Sequence, residues 1–247
     1  MRLIARPLLQ ALLLSILVPT ASAETYSVGV ESIDYYPLYA EKDGKYIGLA
    51  QEILDKFAQK AGHQFQYKPF PVIRLTKTYL TEKSLDFKFP DNEHWAKEEK
   101  QGISITYSNA IMDYTDGVMV QPKYLGMSVD RMKKLGIVRG FTPWDWMDLI
   151  GSGAVSVRET SNLESVIQQT LADRVDGAYF NIHVANYFMK NSMQLNNALV
   201  FDPGLPHSSD SYVLSTLTHP EVIQSFNRFL VDEADWISAI KKKYTEE

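Results

Sequence analysis

The chain contains no cysteine. That excludes disulfides, a thiol nucleophile, cysteine-held metal and a lipid-modified N-terminal cysteine. It also lacks a basic excess, with 25 lysines and arginines against 30 acidic residues and a formal charge of -5. Nucleic acid, which needs a basic face, is therefore not an expected partner. Beyond residue 23 no apolar run approaches the roughly 18 residues of a membrane span. The chain has no His-Glu-x-x-His helix, no Gly-x-Ser-x-Gly elbow and no phosphate-binding glycine loop. Its five histidines (His63, His94, His183, His207 and His219) are scattered. Nothing here asks for a metal, a cofactor or a catalytic nucleophile.

The first 23 residues read as an export leader. Arg2 and Arg6 precede an apolar run from Leu8 to Val18, and Ala21-Ser22-Ala23 supplies a small-residue cleavage pattern. The expectation is a signal peptide over 1–23 and a mature chain beginning at Glu24. Without Arg2 and Arg6, 23 basic residues face 30 acidic ones, a formal charge of -7. An exported chain without disulfides fits a periplasm better than a disulfide-stapled extracellular scaffold.

The mature part alternates strand and helix patterns. Tyr26, Val28 and Val30 alternate as a strand, and a tyrosine-rich loop runs from Ser32 to Lys45. Leu49, Ile53, Phe57 and Ala61 share one helical face, closed by Gly62. Phe65 and Tyr67 predict a strand, Val72 to Lys83 a helix, and Leu85, Phe87 and Phe89 a third strand. A second such series starts near Gly117, with Val118 and Val120, then Ile137 and Val138, then a short helix after Pro143. Ser161 and Glu164 form a capping-box pattern, Gly177 to Phe180 reads as a strand, and two helices close the chain. Two strand-helix-strand series imply an α/β fold in two lobes with largely parallel sheets.

Three stretches carry a family resemblance. Asp43-Gly44-Lys45-Tyr46-Ile47-Gly48-Leu49 resembles the turn and helix start of the family 3 periplasmic solute-binding proteins, the receptors of polar amino acid importers. Arg174-Val175-Asp176-Gly177-Ala178, with Val184, Ala185 and Tyr187, resembles a central strand and helix of that family. Ser211-Tyr212-Val213-Leu214 and Ile240-Lys241-Lys242-Lys243-Tyr244 resemble its closing strand and terminus. The resemblance implies the type II periplasmic binding protein fold: lobe 1 over 24–116 and 210–247, lobe 2 over 117–209, and hinge closure around a small ligand. It implies an inner-membrane ABC permease as partner, and the chain is expected to be a periplasmic monomer. The hinge crossings are expected within Tyr114 to Pro122 and Phe201 to Ser211.

In an open α/β sheet the ligand sits at the carboxyl ends of the strands. Tyr35 and Tyr36 follow the first strand and would wall a planar or apolar ligand, or else cover the lobe edge. Arg74 either clamps a carboxylate through two parallel hydrogen bonds or pairs with a surface acid. Asn92 and Trp95 follow the third strand as a polar contact and a stacking face, or as loop packing. Thr142, beside Arg139 and Gly140, precedes a helix start that would seat an anion or merely be capped.

Other site residues follow from the resemblance. Tyr107-Ser108 fits the family's pair before the hinge. The threonine and arginine that grip the α-carboxylate are missing, leaving only Lys88, Lys97 and Lys100 nearby. Asn181 stands where the family often has an aspartate for the α-ammonium, while Asp176 matches an aspartate that is ordinarily structural.

The expected function is a non-catalytic receptor delivering a small polar, carboxylate-bearing or aromatic solute, an amino acid or related compound. The alternatives are an enzyme on the same fold, resembling cyclohexadienyl dehydratase with Glu31, Glu93 or His94 as acid or base, and a ligand-sensing module for a separate membrane partner.

Overall fold

The structure is a computed structural model and describes residues 23–245. The expected leader, except Ala23, lies outside the described residues. Among the described residues no helix is long and apolar enough to cross a membrane.

The chain opens with β1 (Glu24–Glu31), in which Val28 and Val30 are buried as the alternation predicts. The stretch after it, expected as a loop, instead forms a small antiparallel sheet of β2 (Asp34–Tyr35), β3 (Tyr39–Lys42) and β4 (Lys45–Ile47). Asp43 and Gly44 link the last two, both with positive φ, the two-residue turn whose twist suits a hairpin. Helix α1 (Leu49–Ala61) starts at Gly48, whose φ of 112° and contact with β3 leave no room for a side chain: a Cβ would lie 2.9 Å from the Leu38 oxygen. Gly62 ends the helix in the left-handed conformation, its N–H donating to the carbonyls of Ala58 and Gln59.

Next come β5 (His63–Phe70), α2 (Val72–Leu80), β6 (Phe87–Asp91), α3 (Lys97–Lys100) and β7 (Thr106–Tyr107). Helix α2 stops short of the expected Lys83, which instead has a positive φ. The order β5-β1-β6 is parallel with β1 central, as two crossover helices require.

The second series comprises β8 (Met112–Val120), β9 (Lys134–Val138), α4 (Met147–Gly151), β10 (Ser156–Thr160), α5 (Leu163–Leu171), β11 (Gly177–Asn181), α6 (Ile182–Asn191) and β12 (Val200–Phe201). β9 lies parallel to both β10 and β11. The cap of α5 is Asn162, one residue past the expected Ser161. Its side chain accepts from the Ser165 N–H at 2.9 Å, taking the role predicted for Ser161. Asp176 accepts from the N–H groups of Lys133 and Lys134 at 2.7 and 2.8 Å, anchoring the entry to β9.

The chain then forms β13 (Ser208–Thr216), α7 (Pro220–Asp232) and α8 (Ala234–Thr245). β8 and β13 run antiparallel through the middle of the sheet. Met112–Asp116 pairs with Tyr212–Ser208, the far end of β8 continues against β11, and the far end of β13 continues against β6 and β7. Two strands thus cross between two lobes. The last helices return to the first lobe, where Phe57 of α1 meets Phe226 and Phe229 at ring distances of 4.9 and 5.6 Å.

Candidate functional site

A cleft lies between the lobes, with side chains from β8 and β13 in its wall. It is lined by Tyr35, Trp95, Lys88 and Asp91 from the first lobe, by Phe141, Thr142 and Tyr179 from the second, and by Asp116 and Tyr212 of the crossing strands. The lobes touch around it. Gly140, with a φ of 91°, lies so near Val72 that a Cβ there would sit 3.0 Å from that side chain. Tyr35 meets Phe141 edge-on at 5.6 Å, and the Asn181 N–H donates to the Tyr35 hydroxyl at 2.9 Å. At the rim, Trp144 receives the His94 ring at 5.3 Å and the Lys97 ammonium at 4.1 Å. The enclosed space in the cleft is small, about 50 Å³. A space of that size describes a nearly closed site.

The inner wall is aromatic. Tyr35 stacks on Tyr39 at 5.1 Å, Tyr212 stacks on Tyr114 at 4.6 Å, and Trp95 meets Tyr212 at 5.8 Å. Burial, with the nearby acids adding to it, holds the hydroxyls of Tyr35, Tyr39 and Tyr212 well above the usual phenol range, so these remain neutral donors and acceptors.

Five ionisable side chains share this wall. Burial pushes the Asp91 carboxyl up, but Lys88 and Lys100 outweigh it and hold the group below the usual range. Both ammoniums lie against Asp91 Oδ1, at 2.9 and 2.8 Å, and Ser215 donates to Oδ2 at 2.6 Å. Each lysine also donates to a backbone carbonyl, Lys88 to Pro90 and Lys100 to Asn92. Glu31 accepts from the Tyr39 hydroxyl at 2.8 Å; burial pushes it up to about 7 against the opposing pull of Lys88. Asp116 has no such partner. Its Oδ1 is buried without a hydrogen bond, and burial, with Glu31 adding a like charge, pushes its pKa up to about 8. Among the described residues no group of three or more histidine or acidic side chains is gathered to hold a metal ion.

The expected site residues divide accordingly. Tyr35, Trp95 and Thr142 line the cleft. Tyr36 turns to Tyr187 and Tyr244, at 5.1 and 6.0 Å, across the lobe edge. Arg74 points to solvent and pairs with Glu82 at 3.0 Å, the surface alternative, because its turn of α2 faces outward. Arg139 is exposed and lies 3.6 Å from Glu159.

Asn92 is buried as a brace: its amide donates to Asp210 and to the Ser211 carbonyl, and its oxygen accepts from the His94 N–H. Tyr107 lies under Lys100 in a separate shallow depression. Ser108 joins β7 to β13 by accepting from the Leu214 N–H at 3.0 Å. Asn181 caps α6, accepting from His183 and Val184, and lines a separate groove. The short helix expected after Pro143 is present, as a 3₁₀ turn over Trp144–Trp146 that runs directly into α4, and no side chain caps its start.

Asp116, Tyr39, Tyr179 and Tyr212 were not among the expected site residues. Their one sequence signal is an acid inside the strand pattern ahead of Gly117, where a solvated face would read the same.

No family model matches the chain, and no curated protein matches it in sequence. Solved structures do. The GluR0 ligand-binding core complexed with L-glutamate aligns at TM-score 0.72 and 18% identity, over 91% of this chain and 99% of the other. The arginine-, lysine-, histidine-binding protein ArtJ from Geobacillus stearothermophilus aligns at 0.71 and 18%, over 91% and 96%. An ancestral amino acid-binding protein, AncCDT-1, a precursor of cyclohexadienyl dehydratase, aligns at 0.69 and 16%, over 90% and 95%. The chain therefore has the two-lobed α/β fold of periplasmic binding proteins, the fold that its scattered motifs implied.

Proposed function

We propose that this protein is a solute-binding receptor whose lobes close on a small amino acid or related compound, and that it delivers this solute in the periplasm to an inner-membrane ABC permease. The observation that carries the reading is the cleft itself: both lobes and both crossing strands supply its wall, and a buried polar atom in that wall lacks a partner. Such a group favours a ligand that completes it. The similarity to amino acid-binding proteins supports the same reading. The proposed lobes are 24–116 with 210–247, and 117–209; the pairing of β8 with β13 supports crossings at those positions. A thermal-shift screen of the purified protein against amino acids, amines, organic acids and sugars tests the reading. A solute at 100 times its dissociation constant adds about 2.7 kcal/mol, and loss of uptake of that solute in a deletion strain checks the delivery step.

One observation favours a second reading, an enzyme of the dehydratase type on this fold. Glu31 is a cleft carboxyl pushed up to about 7, within the working range of a general acid. Turnover of prephenate or arogenate by the purified protein is its test, and absence of product removes it.

A further inference from the structure

The cleft's ionisable side chains do not pair off among themselves. Lys88 and Lys100 are both spent on Asp91, and Glu31 faces Lys88, so two cations meet two acids. Asp116 is left over, with Oδ1 buried and unbonded. Among the described residues no arginine lines the cleft, and Arg74 and Arg139 both turn outward to surface acids. An entering carboxylate would find each lysine already giving two of its three N–H groups away. An entering cation would find an acid with no competitor and a wall of neutral aromatic rings.

We propose that the cleft takes a small organic cation without an α-carboxylate, a primary amine or guanidine whose charge rests on Asp116 among the rings of Tyr35, Tyr179 and Tyr212. This rests on the receptor reading above and specifies its solute class. The ligand's positive charge replaces the proton as the partner of the buried acid. Burial then favours the complex, because a paired ion is tolerated where a lone one is not. The aromatic faces add attraction for the same charge. The groups facing Asp116 are Glu31 from β1, Tyr35 from β2, Tyr114 from β8, Tyr179 from β11 and Tyr212 from β13. All four tyrosines are held neutral, which leaves Glu31 as the one other group on this side that titrates near neutrality. Asp116 carries its proton in the free protein at pH 7 and loses it when the cation arrives, so binding releases protons.

The test is isothermal titration calorimetry with matched pairs that differ only in the α-carboxylate: tyramine and tyrosine, agmatine and arginine, cadaverine and lysine. Neutral sugars and organic acids complete the panel, and two buffers of different ionisation enthalpy are used at pH 7. The expected result is that at least one amine binds ten-fold or more tightly than its parent amino acid and releases up to one proton. Asp116→Asn, a near-isosteric change whose folding is checked by its melting temperature, is expected to cost that amine at least ten-fold and to abolish most of the proton release. Amino acids binding as tightly as their amines, or anionic or neutral solutes binding alone, overturn the inference and leave the receptor reading standing. Silence across the whole panel overturns both.

Discussion

Asp91 and Asp116 are buried aspartates in the wall of one cleft, with 0% and 8% of their surface exposed, and they are in opposite electrostatic conditions. Asp91 sits at the end of β6, where Lys88 reaches back from the same strand and Lys100 folds over from α3. Asp116 sits at the middle of β8, where its Oδ1 has no hydrogen bond and the like charge of Glu31 adds to the effect of burial. Burial costs both carboxylates their hydration. Only the local partners decide that one is ionised and structural while the other keeps its proton and stands ready for a ligand.

The largest way to break this contrast is Asp91→Ala, which strands two ammoniums in the wall. Urea denaturation at pH 7 is expected to show a loss of about 3–5 kcal/mol, the usual penalty for removing one partner of a buried charge cluster. A loss below about 1 kcal/mol would mean that water reaches Lys88 and Lys100.

Asp116→Asn should act in the other direction. Folded Asp116 keeps its proton up to about pH 8, whereas the unfolded chain releases it near 4. The folded state therefore binds more protons across that window, and stability falls as pH rises from about 4 to 8. Removing the group is expected to raise stability at pH 8, by as much as about 5 kcal/mol, with little change at pH 4. Glu31, raised to about 7, retains a smaller slope of the same sign. Urea midpoints collected over this range check the prediction, and an unchanged slope in the variant would show that Asp116 is solvated.

Asn181→Ala sharpens the comparison from the cleft's far side. The asparagine caps α6, and its side-chain amide lies 3.4 Å from the Tyr212 hydroxyl, so the expected loss is about 1–2 kcal/mol. Hydrogen exchange should show the loosening at the first turn of α6. The control is Arg74→Ala. Its exposed pair with Glu82 should matter by no more than about 0.5 kcal/mol, and solute affinity should not move. A ten-fold drop in affinity would return Arg74 to the site.

The sequence showed much more of the scaffold than of the site. Gly48, Gly62 and the Asp43-Gly44 turn state their geometry outright, because each occupies a backbone conformation or a close contact that few residues accept. The helical stripe through Ile53 and Phe57 and the alternation through Val28 and Val30 specify which faces are buried. The small sheet over Asp34–Ile47 was hidden, since its strands are two to four residues long and too short to show a period. The polar atoms of Asn92, Ser108 and Asn181 hold chain segments together instead of facing the cleft. A side chain's type gives its capacity for hydrogen bonds and says nothing of which neighbour claims them.

By itself, then, the sequence determined a two-lobed α/β chain, through local patterns of period 2 and 3.6, glycine positions and caps that each depend on a few consecutive residues. The tertiary structure alone decided which charges face the cleft. Arg74 and Glu82 are eight residues apart and claim each other at the surface. Asp91 and Ser215 are 124 residues apart and meet in the core. Asp116 is left without a partner because of what β1, β11 and β13 place around it. Charge compensation depends on contacts across long stretches of chain, and only the folded arrangement of the strands sets those.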